Sequence, residues 1–102
     1  MDILIFIKRL VIAHKIIITY KAAGEMDLDG ITEDDVIASI LNARKISKII
    51  NSTSAFRSGS REKLYIIKGP TFSDVIVYTK GTIRRTSEGY ALYILISSKR
   101  SL

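Results

Sequence analysis

The 102-residue sequence contains no cysteine and a single histidine, His14. Without thiols there is no disulfide framework, no zinc–thiolate site and no thiol nucleophile. With one imidazole there is no histidine pair for acid–base catalysis and no histidine-rich metal cluster. His14 lies between a helical and an extended pattern in the less basic half, so a structural or surface role is expected of it. Carboxylates are scarce where cations abound. Beyond residue 35 only Glu62, Asp74 and Glu88 are acidic, and they are well separated, which disfavours metal-dependent phosphodiester cleavage by clustered carboxylates. Long apolar runs are missing as well. Residues 3–7 look like a signal-peptide core, but Lys8, Arg9, His14 and Lys15 interrupt it and no small-residue cleavage site follows. The run is far short of the roughly 20 residues of a membrane span. The expectation is a cytoplasmic chain with no membrane partner, no metal and no cofactor.

What is present is an uneven charge. Up to Asp35 the chain has four Lys/Arg against seven Asp/Glu, a net of −3; from Val36 it has 12 against three, a net of +9. A basic half of this density attracts polyanions, of which phosphate backbones are the commonest. The bland alternative is a solvated surface that keeps the chain dispersed. With 47% apolar and 25% charged residues, the composition is that of one folded domain over residues 1–102.

The pattern runs from helices to strands. Residues 3–13 set Ile3, Phe6, Ile7, Leu10 and Val11 at helical spacing behind an Asp2 cap. Residues 15–20 are short and Ile-rich, either a strand or an extended linker. A short helix carrying Ala22, Ala23 and Met26 should end at Gly30. Thr32 followed by three acids should start a helix over 33–43, with Val36, Ile37, Ile40 and Leu41 as its apolar stripe. Strands are expected at 46–52, 63–68, 75–80 and 91–98, with turns at Gly69-Pro70, Gly81 and Gly89 and a polar loop at 53–62. The fold class is α+β, with N-terminal helices on one face of a mainly antiparallel four- to five-stranded sheet.

Strand alternation then sorts the side chains. One face should be aliphatic and carry the helices. The other should gather Tyr65, Tyr78, Tyr93, Lys63, Lys80 and Lys99, with Arg57 and Arg61 arriving from the loop. Tyrosines among cations suit RNA, since bases stack on rings while cations hold phosphates. Tyrosines are also simply good strand residues. Such a face can promote RNA cleavage without metal if it positions a 2′-hydroxyl on the adjacent phosphate, moves two protons and stabilises the phosphoryl charge. Ser97 and Ser98 beside Lys99 invite a Ser–Lys nucleophile, but a strand end meeting solvent accounts for the same residues.

The chain resembles the motility quorum-sensing regulator toxins, grouped with the RelE-like mRNA interferases. The similarity runs through residues 7–13 (Ile-Lys-Arg-Leu-Val-Ile-Ala), 25–30 (Glu-Met-Asp-Leu-Asp-Gly), the surroundings of Lys48, then 64–68 and 75–80. A strand Tyr followed fifteen positions later by Lys is matched by Tyr65 and Lys80, and a first-strand Lys by Lys48. The resemblance implies a RelE-like fold and a metal-independent endoribonuclease that cleaves mRNA to inhibit growth. It also implies a cognate antitoxin, commonly a DNA-binding helix-turn-helix protein. The implied catalytic set is Lys48, Tyr65 and Lys80, with Tyr65 in proton transfer and the lysines on phosphate charge. Arg57, Arg61, Lys63, Tyr78, Tyr93 and Lys99 become RNA-binding candidates. The chain departs from the family in lacking its loop glutamine, for which Arg57 or Arg61 is the candidate substitute, and in adding a hairpin near residues 90–99. Two other classes fit the same residues: a non-catalytic RNA-binding module, and a basic protein-interaction domain that docks an acidic partner.

Overall fold

The computed structural model describes residues 2–55 and 61–101, without the side chains of 53–55 and 61. The elements run α1 (Ile3–Ile12), β1 (Ile16–Ile18), α2 (Tyr20–Asp29), α3 (Glu33–Asn42), β2 (Lys48–Ala55), β3 (Arg61–Pro70), β4 (Ile76–Arg85) and β5 (Ala91–Arg100). The class is α+β, as the pattern predicts.

Each helix begins and ends for a local reason. The Asp2 carboxylate accepts from the Leu4 and Ile5 amides and caps α1, which buries Leu4, Ile7, Leu10 and Val11. After Ile12 the Lys15 amide returns to the Leu10 carbonyl and the His14 amide to Val11, with His14 left-handed at φ 58°. That is a Schellman ending, so the lone histidine is an exposed turn residue. Gly30 ends α2 in the same way at φ 67°, the Ile31 amide reaching Met26. At α3 the Thr32 hydroxyl accepts from the Asp35 amide while the Asp35 carboxylate accepts from the Thr32 amide, a reciprocal capping box.

The sheet is mixed and ordered β1-β5-β4-β3-β2. β1 lies parallel to β5 and the other three pairings are antiparallel. β1 settles the choice left open at residues 15–20. Gly81, expected as a turn, lies inside β4 instead. A Cβ there would collide with the ring of Tyr93, which lies across it; the glycine is a seat for an aromatic ring, and the strand continues to Arg85. β5 carries one extra residue, because Lys80 pairs with Ser97 while Gly81 pairs with Leu95. This bulge leaves Ile96 unpaired and shifts the strand's alternation by one.

α1 and α3 cover one face of the sheet. α3 approaches so closely that a Cβ on Gly69 would strike the Ser39 backbone, and the Ser39 hydroxyl donates to the Gly69 carbonyl at 2.8 Å. The core joins Leu4, Ile7, Val36 and Ile40 of these helices to Tyr65, Ile67, Val77, Tyr93 and Leu95 of the strands. α2 runs along β5 beyond the three residues that β1 covers. There the Ser98 amide donates to Glu25 at 3.1 Å and the Arg100 amide to Asp29 at 2.8 Å, so side-chain carboxylates close an edge that would otherwise expose its amides. Among the described residues no helix is long and apolar enough to cross a membrane.

Candidate nucleic-acid interface

The register decides which side chains meet. Lys48 pairs with Ile66, Ile66 with Lys80 and Lys80 with Ser97, which forms one row across four strands on the face away from α1 and α3. The next row is Lys68, Tyr78 and Lys99. On the other side of the first row lie Ile50, Leu64, Thr82 and Ile94, joined at the far edge by Ile17 of β1. That row is largely apolar, with Leu64, Thr82 and Ile94 at its centre buried, and beside it on this open face lie two rows that hold four lysines and one tyrosine. Among the described residues no carboxylate pairs with Lys48, Lys68, Lys80 or Lys99. Arg84 differs: its Nε and Nη2 donate to the two oxygens of Glu62 at 2.9 and 3.0 Å. These bonds raise the guanidinium pKa against the opposing effect of burial and neutralise its charge locally.

The expected grouping of faces is corrected at three residues. Tyr65 is 8% exposed and Tyr93 fully buried, both in the helix-covered core, so neither shares a face with Lys80. For Tyr65 and Lys63 the alternation along β3 is as expected and the error lies between strands, where Tyr65 sits opposite Gly81 and not opposite Lys80. For Tyr93 the error lies within β5, where the bulge at Ile96 puts Lys99 on the face opposite Tyr93. Lys63, two residues from Tyr65 on β3, goes with it to the helix side, exposed toward the end of the β2–β3 hairpin. The proposed trio thus divides into Lys48 and Lys80 on the open face and Tyr65 beneath the helices. Tyr78 and Lys99 join the two lysines. Arg57 lies outside the described residues. Arg61 opens β3 opposite Ala55, and its side chain also lies outside them.

Tyr93 is unsuited to proton transfer. Burial, and secondly the neighbouring Tyr65, push its phenol well above the ordinary tyrosine range, so it stays neutral. Tyr78, by contrast, is half-buried beside solvent, and the Lys99 ammonium sits 5.6 Å from its ring centroid. An exposed cation–π contact contributes about 0.5–1 kcal/mol. A stacked nucleobase contributes about 1–3 kcal/mol, so a base can take the ring and release the ammonium to a phosphate.

Pattern reading missed two members of this surface. Lys68 was hidden because its strand mates Leu64 and Ile66 mark an aliphatic face; the signal was parity with those residues. Asp29, at the far end of the Lys68–Tyr78–Lys99 row, has no signal in sequence, because only the docking of α2 against β5 brings it there. Among the described residues no group of three or more His, Asp or Glu side chains is placed to hold a metal ion. Comparison with protein-family models, with curated proteins and with solved structures finds no match to this chain.

Proposed function

We propose that the open face of the sheet binds single-stranded RNA. The observation that carries this reading is the convergence of Lys48, Lys68, Lys80 and Lys99 with Tyr78 on one face. Neighbouring strands lie about 4.8 Å apart, so Lys48 and Lys80, two strands apart, span roughly 10 Å and can share one phosphate or two successive ones. The half-buried ring of Tyr78 beside these lysines offers a stacking surface to an unpaired base, which suits a splayed single strand better than a duplex.

The test is the salt dependence of affinity for an unstructured RNA strand, followed by fluorescence anisotropy. Each phosphate contact removed should lower the slope of log K against log salt by about 0.7. Lys48→Ala with Lys80→Ala should therefore lower it by about 1.4, and Tyr78→Leu should weaken binding with little change in slope. Slopes equal to the parent's in the double variant would refute the reading.

A second reading is favoured by the shared row of Lys48 and Lys80: the metal-independent endoribonuclease implied by the family resemblance, acting on mRNA in the cytoplasm and restrained by an antitoxin. With Tyr65 in the core, the phenol available to this row is that of Tyr78, two residues or about 6.7 Å along β4 from Lys80. Tyr78 would give its phenolic proton to the departing 5′-oxygen and regain one, through solvent, from the attacking 2′-hydroxyl, while the two lysines stabilise charge on the phosphoryl oxygens. Tyr78→Phe keeps the stacking ring, so single-turnover cleavage that falls about 10²–10⁴-fold at unchanged affinity would mark this reading. Absence of cleavage by the parent leaves the binding module.

A further inference from the structure

The row Lys68, Tyr78, Lys99 does not stop at the edge of the sheet. β5 is followed there by Asp29, which holds the Arg100 amide through Oδ2 and, among the described residues, leaves its other oxygen without a hydrogen bond. With Arg100 and Ser101 these residues line a groove of about 540 Å³, a size that accommodates a small organic ligand. We infer that this groove holds one ribonucleotide unit, with its base on Tyr78, its phosphate on Lys68 and Lys99, and its 2′-hydroxyl donating to Asp29. The inference rests on the reading that the open face binds RNA, and it assigns the choice of RNA over DNA to one residue.

The chemistry of the lining argues for this. A groove with three cations attracts an anion, and a phosphate is the anion that comes attached to a flat ring able to cover Tyr78. A carboxylate in the same groove repels that phosphate, so its free oxygen suits a different part of the ligand. A carboxylate is an acceptor only, and Asp29 lies across β5 from the strand that carries Tyr78, where we place a hydroxyl donor of the sugar. Closing the edge of β5 uses only one of its two oxygens.

The experiment is an amide-resolved NMR titration of the full chain with adenosine 5′-monophosphate, its 2′-deoxy form and its 2′-O-methyl form. RNA and DNA strands of one sequence are measured in parallel by anisotropy. The ribonucleotide should perturb Tyr78, Lys99 and Ser101 and bind about tenfold tighter than the deoxy form, the worth of one charge-assisted hydrogen bond. The 2′-O-methyl form has no hydroxyl hydrogen and should bind no better than the deoxy form, a result that needs no variant. Asp29→Ala should bring the ribo/deoxy ratio near one without weakening the deoxy form, and Tyr78→Leu should weaken all three. Equal binding of ribo and deoxy forms by the parent, a ratio unchanged in Asp29→Ala, or shifts centred elsewhere would overturn the inference. If RNA strands bind through Lys48 and Lys80 while the mononucleotide perturbs nothing, the inference falls and the RNA-binding reading stands. If the mononucleotide binds with ribose preference while neither strand binds, the RNA-binding reading falls and the groove stands as a mononucleotide site.

Discussion

Removing one oxygen from Tyr93 should stabilise this protein. The Tyr93 side chain is fully buried, its ring lies across Gly81, and its hydroxyl has no hydrogen-bond partner. Burying an unpartnered polar group costs about 1–3 kcal/mol. Tyr93→Phe recovers that cost and loses the dispersion contacts of one atom against the Gly81 backbone, each worth about 0.1–0.2 kcal/mol. The expected net gain is about 1 kcal/mol, or about 4–8 °C in Tm for a domain of this size. Calorimetry and urea unfolding at pH 7 measure it, with Tyr78→Phe as the control whose solvent-side hydroxyl should leave stability unchanged. The pH dependence supplies an independent reading. Because burial raises the phenol pKa of Tyr93 in the fold, the unfolded chain releases that proton first. The parent should therefore lose stability as pH rises past about 10, and the Phe variant should lack that part of the loss. A variant less stable than the parent by more than about 0.5 kcal/mol would refute the reasoning, since only a held hydroxyl, for instance on a buried water, gives that loss.

Other outcomes follow from the same packing. Gly81→Ala should cost about 1–3 kcal/mol, because the new methyl displaces the Tyr93 ring, and should alter the tyrosine near-ultraviolet circular dichroism; parental stability would contradict the seating of that ring. For Glu25, burial raises the pKa, but the Ser97 hydroxyl, the Ser98 amide and the charges of Lys21 and Lys99 together bring it below the ordinary value. Its contribution is thus present above the unfolded pKa and lost as pH falls through the folded one. Glu25→Gln should cost about 1 kcal/mol at pH 7, a gap that closes below about pH 4; a gap independent of pH would show that charge plays no part.

The local layer of this fold is legible in the residues. Asp2 and Thr32 read as caps and are caps; Gly30 reads as a helix stop and takes the left-handed conformation. The strand runs lie where β-branched and aromatic residues cluster, and β3 and β4 alternate as their patterns say. What was not legible is the relation between strands. A shift of one residue exchanges the two faces of a strand, and nothing local to β3 or β4 says that Ile66, and not Tyr65, meets Lys80. The bulge at Ile96 adds a second change of parity in β5. The candidate surface was consequently half visible: Lys48, Lys80, Tyr78 and Lys99 were anticipated, whereas Tyr65 and Tyr93 were drawn to it by residue type although the core claims their rings.

The meeting of α2 with β5 couples two different rulers. Glu25 and Asp29 are one helical turn apart, a rise of about 6 Å, and the amides they hold are two strand residues apart, about 6.7 Å. The near match lets a helix read a strand at two successive notches, but only in one setting. Sliding α2 by a single residue turns both carboxylates by about 100° about the helix axis and takes them off the strand together. The short passage from β1 to α2 through Thr19 is therefore a fixed-length coupling. An insertion of one residue there would disengage both grips at once, whereas a similar insertion after Gly30 would leave them untouched.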